Sequence, residues 1–371
     1  MKLLYFSPIM WGDLKQRPQH INEELSRYFE ITFIEPSISA VSSLLKGNKN
    51  HIKSKQKINE NLSVFRAAGY RLPKIIEIID LFKLNLIYEK IQLKEYINQA
   101  DMIWLGSPLF YPLIKLTNKP VIYDKMDDFS FLTQNAIMKH LIRKYELEVY
   151  KKATLVFSSS DALVEEAKIY NSNVYLIENG IDIKMLQISQ PNNIVSDINR
   201  MKQSGVRIFI YVGTVDHWFD FEAVQKILDH DKKNHVIIIG RNNLPQSLQS
   251  ERLFYYGTIP KTEISAVLLV SDVCLYPFKL DSNLDTINPV KIYEYLSMNK
   301  IVIAAESRET LKMESLMRYK NYRELDNILD NIDDKRPPFD NQLLQKFIKF
   351  NSWGQRVEEI MQIVNSHHLV K

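Results

Sequence analysis

Short apolar runs alternate with stretches in which apolar residues return every three or four positions, almost from one end of this 371-residue chain to the other. Apolar runs bounded by polar turns suit strands buried on both faces, and the intervening period suits helices laid over them. The pattern therefore predicts an α/β protein built on parallel sheets. In the first half, strands are expected at 2–6, 31–35, 62–66, 101–105, 121–124, 153–158 and 174–177, with helices at 17–28, 73–99 and 136–152. A polar segment at 189–205, containing Pro191, Asn192 and Asn193, breaks the alternation and reads as a linker. A second series follows at 207–212, 235–239, 253–256, 273–277 and 301–304, and Ser352 followed by Gln355 has the spacing of a capping box opening a last helix. Two α/β domains are expected, at 1–188 and 189–351.

Composition agrees with that division. The chain is longer than one ordinary core supports, and 45% hydrophobic with 25% charged residues is globular. The single cysteine, Cys274, lies in an apolar run and reads as a core thiol in a reducing, cytoplasmic setting. The apolar start is too brief for a signal sequence, and no apolar stretch approaches a membrane span. Net charge is only +4, yet between Lys46 and Lys94 basic residues outnumber carboxylates more than two to one, interleaved with Ile75, Ile76, Ile78, Ile79 and Phe82. Such a segment suits either an anionic membrane surface or a solvated helix face. No motif points to nucleic acid.

Ligands of open α/β sheets sit beyond the carboxyl ends of the strands, so the polar loops there are where chemistry is sought. The richest segment is Asn288-Pro289-Val290-Lys291-Ile292-Tyr293-Glu294-Tyr295-Leu296. Asn288 is a favoured helix cap and Pro289 a favoured first residue, which would aim the N–H groups of Val290 and Lys291 at an anion. Glu294 lies one turn on, about 5 Å along the helix, where a carboxylate can accept from ribose hydroxyls. A plain capped helix with a solvated Lys291–Glu294 pair is the competing reading. After the first strand, Arg17 could hold an anionic group while His20 or Asp13 moves a proton; helix capping is the alternative. After the fifth, Asp127 and Asp128 are the best candidates for a base, although adjacent aspartates also start helices. Gly213 and Thr214 end a strand where a bare backbone admits a phosphate.

From Tyr276-Pro277-Phe278 through Asn288-Pro289-Val290-Lys291 and Glu294-Tyr295-Leu296 to Ala304, the chain resembles the donor-nucleotide segment of GT-B-fold glycosyltransferases, and is most similar to the bacterial group that builds surface polysaccharides. Trp11 to His20 and Glu178-Asn179-Gly180-Ile181-Asp182 extend the resemblance over nearly the whole chain. It implies two Rossmann-like domains facing each other across a cleft, with residues 352–371 returning to the first domain. It also implies a metal-independent hexosyltransferase that uses no cofactor beyond its nucleotide-sugar donor, expected to be UDP-linked. The implied acceptor is a glycan or a lipid-linked sugar. Tyr256-Gly257-Thr258 is similar to the loop that meets the nucleobase. Two departures stand out. The basic pair that usually follows the strand-end glycine is missing, leaving Lys291, Arg241 or Arg17 to replace it. The first of two glutamates spaced seven apart is Thr286 here, with Asp285 beside it. A nucleotide-sugar 2-epimerase of the same fold and a non-catalytic transferase-like scaffold are the alternatives. A nicotinamide oxidoreductase lacks its glycine fingerprint after the first strand.

Overall fold

The computed structural model describes residues 1–12, 15–39, 54–69, 84–187, 190–244 and 248–370. The chain divides into two compact units, one of Met1–Glu178 with Arg356–Lys371 and one of Asn179–Gln355.

The first unit is built on an eight-stranded sheet of β1 (Lys2–Phe6), β2 (Glu30–Ser39), β3 (Ser54–Lys57), β4 (Leu62–Gly69), β5 (Met102–Leu105), β6 (Val121–Lys125), β7 (Leu155–Ser158) and β8 (Val174–Leu176), in the order β3-β4-β2-β1-β5-β6-β7-β8. Every pairing is parallel except that of β3 with β4. The central strands are buried on both faces, as their unbroken apolar runs require: Leu3, Leu4, Tyr5 and Phe6 on β1, and Met102 to Leu105 on β5. β3, Ser-Lys-Gln-Lys, carries no apolar signal and falls inside the basic segment, which is why the pattern misses it. A lysine-bearing edge strand also discourages pairing with other chains. Of the basic segment as a whole, residues 40–53 and 70–83 lie outside the described residues, as do Asp13 and the first part of the helix expected at 73–99. The described helix there is Leu84–Gln99.

The second unit carries six parallel strands, β9 (Arg207–Val212), β10 (Asn234–Ile239), β11 (Leu253–Tyr256), β12 (Val273–Tyr276), β13 (Ile301–Ala305) and β14 (Met317–Tyr319), in the order β11-β10-β9-β12-β13-β14. Five match the predicted series; three-residue β14 is too short to be read. The segment expected as a linker is corrected: Asn193–Lys202 is a helix, capped by the Asn192 side chain on the N–H of Val195 at 3.1 Å and held by buried Ile194 and Ile198. Asn192 caps the helix and Asn193 begins it, instead of breaking the pattern. Cys274 is a buried free thiol on β12. The helix Trp353–Ser366 opens with the Ser352 hydroxyl accepting from the Gln355 N–H at 3.2 Å, and most of its length belongs to the first unit. Among the described residues no helix is long and apolar enough to cross a membrane.

Candidate functional site

In the first unit, the helix that follows β1 and the end of β6 meet through an ion pair. The Arg17 guanidinium, at the start of the helix Arg17–Leu25 and 5% exposed, grips the Asp124 carboxylate through Nε at 3.0 and 3.1 Å and through a terminal nitrogen at 2.9 Å. Its other terminal nitrogen donates to the carbonyls of Ile177 at 2.7 Å and Glu178 at 3.2 Å. These donors are spent inside the unit, which corrects the expectation that Arg17 holds a ligand anion. Neither Asp124 as counter-ion nor the two carbonyls are adjacent to Arg17 in sequence, so no local pattern could reveal the arrangement. His20 is buried on the same helix.

The two adjacent aspartates part company. Asp128 accepts from the N–H groups of Ser130 at 2.9 Å and Phe131 at 3.2 Å, capping the short helix Phe129–Leu132. That is the structural role weighed against its use as a base, and both bonds fall on one carboxylate oxygen, Oδ1. Asp127 makes no such cap. Burial pushes its carboxyl up to about 7, the charges of Asp124 and Asp128 push the same way, and Arg17 and Lys125 pull it down. A carboxyl titrating near neutrality at a strand end is suited to taking a proton from a hydroxyl. On the opposite face of β6, fully buried Lys125 pairs with Glu146 at 2.8 Å and with Glu166 at 3.3 Å, which anchors the strand below the site.

In the second unit glycines follow two neighbouring strands, and their N–H groups are spent on the Ile239 carbonyl at 2.9 Å and the Tyr256 carbonyl at 3.2 Å. Gly213 follows β9 and Gly240 follows β10, the latter at φ +138°, and a Cβ on Gly240 would lie 2.1 Å from the Gly213 carbonyl oxygen. Only glycine lets these two loops close on each other. Gly240 is a residue that sequence reading passed over. Its signal, a glycine directly after an apolar run, was present. Thr214 and Arg241 are exposed beside them, and Arg241 makes no hydrogen bond or ion pair through its side chain with a described residue.

The helix bearing Lys291 and Glu294 spans Val290–Ser297 and is fixed to the same place: the Val212 N–H, one residue before Gly213, donates to the Tyr295 hydroxyl at 2.9 Å. Its start departs from expectation. Pro289, with no side-chain hydrogen bond, occupies the cap position, and the Val290 N–H turns back onto the Asn288 carbonyl at 3.1 Å. Asn288 instead links buried segments: its Oδ1 accepts from the Asn179 N–H at 2.9 Å, its carbonyl accepts from the Asn179 amide at 3.0 Å, and its own amide donates to fully buried Glu309 at 2.9 Å. The side chain so placed meets two partners, the Asn179 N–H and Glu309, and the main-chain carbonyl meets a third. Lys291 Nζ lies 2.8 Å from Glu294 Oε2, and Glu294 is 4% exposed. No other described residue hydrogen-bonds that carboxylate, so one oxygen remains for a further donor.

Two more expected contacts are engaged elsewhere. Asp285 accepts from the Arg308 N–H at 2.7 Å, and the Tyr256 hydroxyl donates to Asp197 at 3.1 Å. Thr258, after β11, is exposed. Asp216, three residues past Gly213, holds His217 Nδ1 at 3.0 Å and Asn243 at 2.7 Å. Burial raises its carboxyl, but those hydrogen bonds outweigh burial and hold it below the usual range.

The chain matches no protein-family model. It is 19% identical over 280 residues, 71% of this chain and 70% of the other, to a putative teichuronic acid biosynthesis glycosyltransferase of Bacillus subtilis. Among solved structures it superposes on HepE of Anabaena in complex with UDP-glucose, with TM-score 0.67 and 13% identity over 99% of this chain and all of that one. Sucrose-phosphate synthase from Thermosynechococcus elongatus is similar with TM-score 0.69 and 13% identity over 99% of each chain. Two units built on largely parallel sheets, each with polar residues at the carboxyl ends of its strands, give this chain the GT-B fold of these glycosyltransferases.

Proposed function

We propose that this chain transfers a sugar from a UDP-linked donor to a glycan or lipid-linked sugar acceptor in the assembly of a bacterial surface polysaccharide, without a metal or other cofactor. The second unit takes the donor. The observation that carries this reading is the Lys291–Glu294 pair, 2.8 Å apart on a helix whose Tyr295 hydroxyl accepts from the Val212 N–H, one residue before Gly213, with exposed Arg241 one residue beyond Gly240. A diphosphate needs a cation, and a ribose needs a carboxylate with a vacant oxygen. Support also comes from the complex of HepE with UDP-glucose and from the teichuronic acid relative, which suggests the polysaccharide setting. The first unit takes the acceptor, and Asp127 receives its hydroxyl proton. Lys291 and Arg241 stabilise charge as the diphosphate departs.

Titration calorimetry with UDP, GDP and ADP, followed by a transfer assay with a panel of UDP-sugars, tests the reading. UDP is expected to bind in the micromolar to millimolar range. Glu294→Ala should weaken UDP about tenfold, the loss of one hydrogen bond to a charged group, with a smaller effect on turnover. Lys291→Ala should lower turnover by about 10- to 100-fold, because its charge is needed most when the leaving group forms. UDP binding unchanged in both variants would remove the donor-site assignment.

A further inference from the structure

We infer that the helix Asn341–Phe350 is a membrane-contact element that seats the second unit on an anionic lipid surface. Five of its ten residues, Leu343, Leu344, Phe347, Ile348 and Phe350, are large and apolar, yet none of the ten is buried. At about 100° per residue, Leu344, Phe347 and Ile348 form the inward face. Phe347 stacks there on Phe339 at 5.1 Å and on Tyr293 at 6.4 Å. Leu343 and Phe350 lie roughly 40° and 60° round from Phe347 on one flank, followed by Lys346 and then Lys349. Leu343 is 51% and Phe350 53% exposed.

Leu343 and Phe350 border a groove of about 410 Å³ that continues over Pro338 and Phe339, so the apolar surface is contiguous and not two scattered side chains. Charge selects the occupant. Lys346 and Lys349 are both exposed, and neither forms an ion pair with a described residue. Of the nearby carboxylates, Asp340 caps the Leu343 N–H at 2.8 Å, where the helix start offsets part of its charge, and Glu314 lies on the groove rim. Exposed apolar side chains with unpaired lysines beside them on one flank suit a helix lying in the headgroup region: the rings enter the acyl boundary and the lysines reach back to phosphates. The helix Asn341–Phe350 is not part of the basic segment at 46–94 in sequence, and the inference stands whether or not the proposed sugar transfer does.

Co-sedimentation of the full chain with phosphatidylcholine vesicles, with and without a third of phosphatidylglycerol, tests it, alongside Leu343→Ser/Phe350→Ser and Lys346→Glu/Lys349→Glu. The wild type is expected to bind the anionic vesicles, more weakly as salt rises, and the neutral ones much less. Each neutralised lysine should cost about fivefold, equivalent to about 1 kcal/mol, with reversal costing more. The serine pair should reduce binding at least tenfold. All four positions are exposed, so unchanged melting temperatures should accompany these losses. Wild-type-like binding by both variants, no binding by the wild type, or a concentration-dependent dimer abolished by Phe350→Ser would each overturn the assignment.

Discussion

Replacing Asp127 by asparagine is expected to lower turnover by about 10²- to 10⁴-fold while leaving UDP affinity within about twofold, the range associated with losing a general base. The pH dependence makes this prediction specific. Burial and the charges of Asp124 and Asp128 raise the Asp127 carboxyl to about 7, so the wild type should lose activity as pH falls through about 7, when the base takes up a proton. The variant should keep a residual rate without that limb. Stability should move the other way. A carboxyl raised in the folded state binds a proton that the unfolded chain has already released at neutral pH, so the wild type loses stability as pH rises from about 4 to about 7. Asp127→Asn removes that charge, and at pH 8 its melting temperature should exceed that of the wild type, by roughly 2–4 °C for each kcal/mol relieved. Near pH 4 the two should melt together. Kinetic pH profiles and thermal melts at two pH values check both halves. A variant with normal turnover would place the base elsewhere.

Arg17→Ala is expected to destabilise the first unit by about 3–5 kcal/mol, the cost of stranding a buried carboxylate without its partner. Asp124 is fully buried, and Arg17 supplies three short contacts to it. The carbonyls of Ile177 and Glu178 lose their donor in the same stroke. Denaturant unfolding monitored for the first unit measures the loss. The double variant Arg17→Met/Asp124→Leu should recover a substantial part of it, because packed apolar groups replace a buried ion pair at little cost. UDP affinity should stay at the wild-type value in either protein, since the guanidinium is turned inward. An Arg17→Ala protein of normal stability that failed to bind UDP would restore the ligand-holding role that its position after the first strand suggests.

The strand ends illustrate where sequence reading stops. Asp127 and Asp128 are identical in type and adjacent, and local pattern gives both the same two readings. Only the placement of the Ser130 and Phe131 N–H groups makes Asp128 a cap, and only burial near Asp124 makes Asp127 a group that titrates near neutrality. Asn288 was legible as a polar residue at a helix start. Its actual partners, Asn179 and Glu309, are 109 and 21 residues away, and a capping rule considers only the next three. Lys291 and Glu294 were found by their spacing, because a three-residue separation on a helix is itself a spatial relation.

What the sequence alone determined is therefore what depends on near neighbours: the alternation of strand and helix, the parallel class of both sheets, the core thiol, the helix of Lys291 and Glu294, and the glycine after β9. These follow from hydrophobic period and backbone freedom, which act over a few residues. What only the tertiary structure decided is which polar groups are used up and which remain. Arg17 is consumed by Asp124, Tyr256 by Asp197 and Asp285 by Arg308, while Arg241 and one oxygen of Glu294 keep no described partner. Desolvation and pairing depend on groups brought together from distant parts of the chain, and a buried charge must find a partner wherever the fold supplies one.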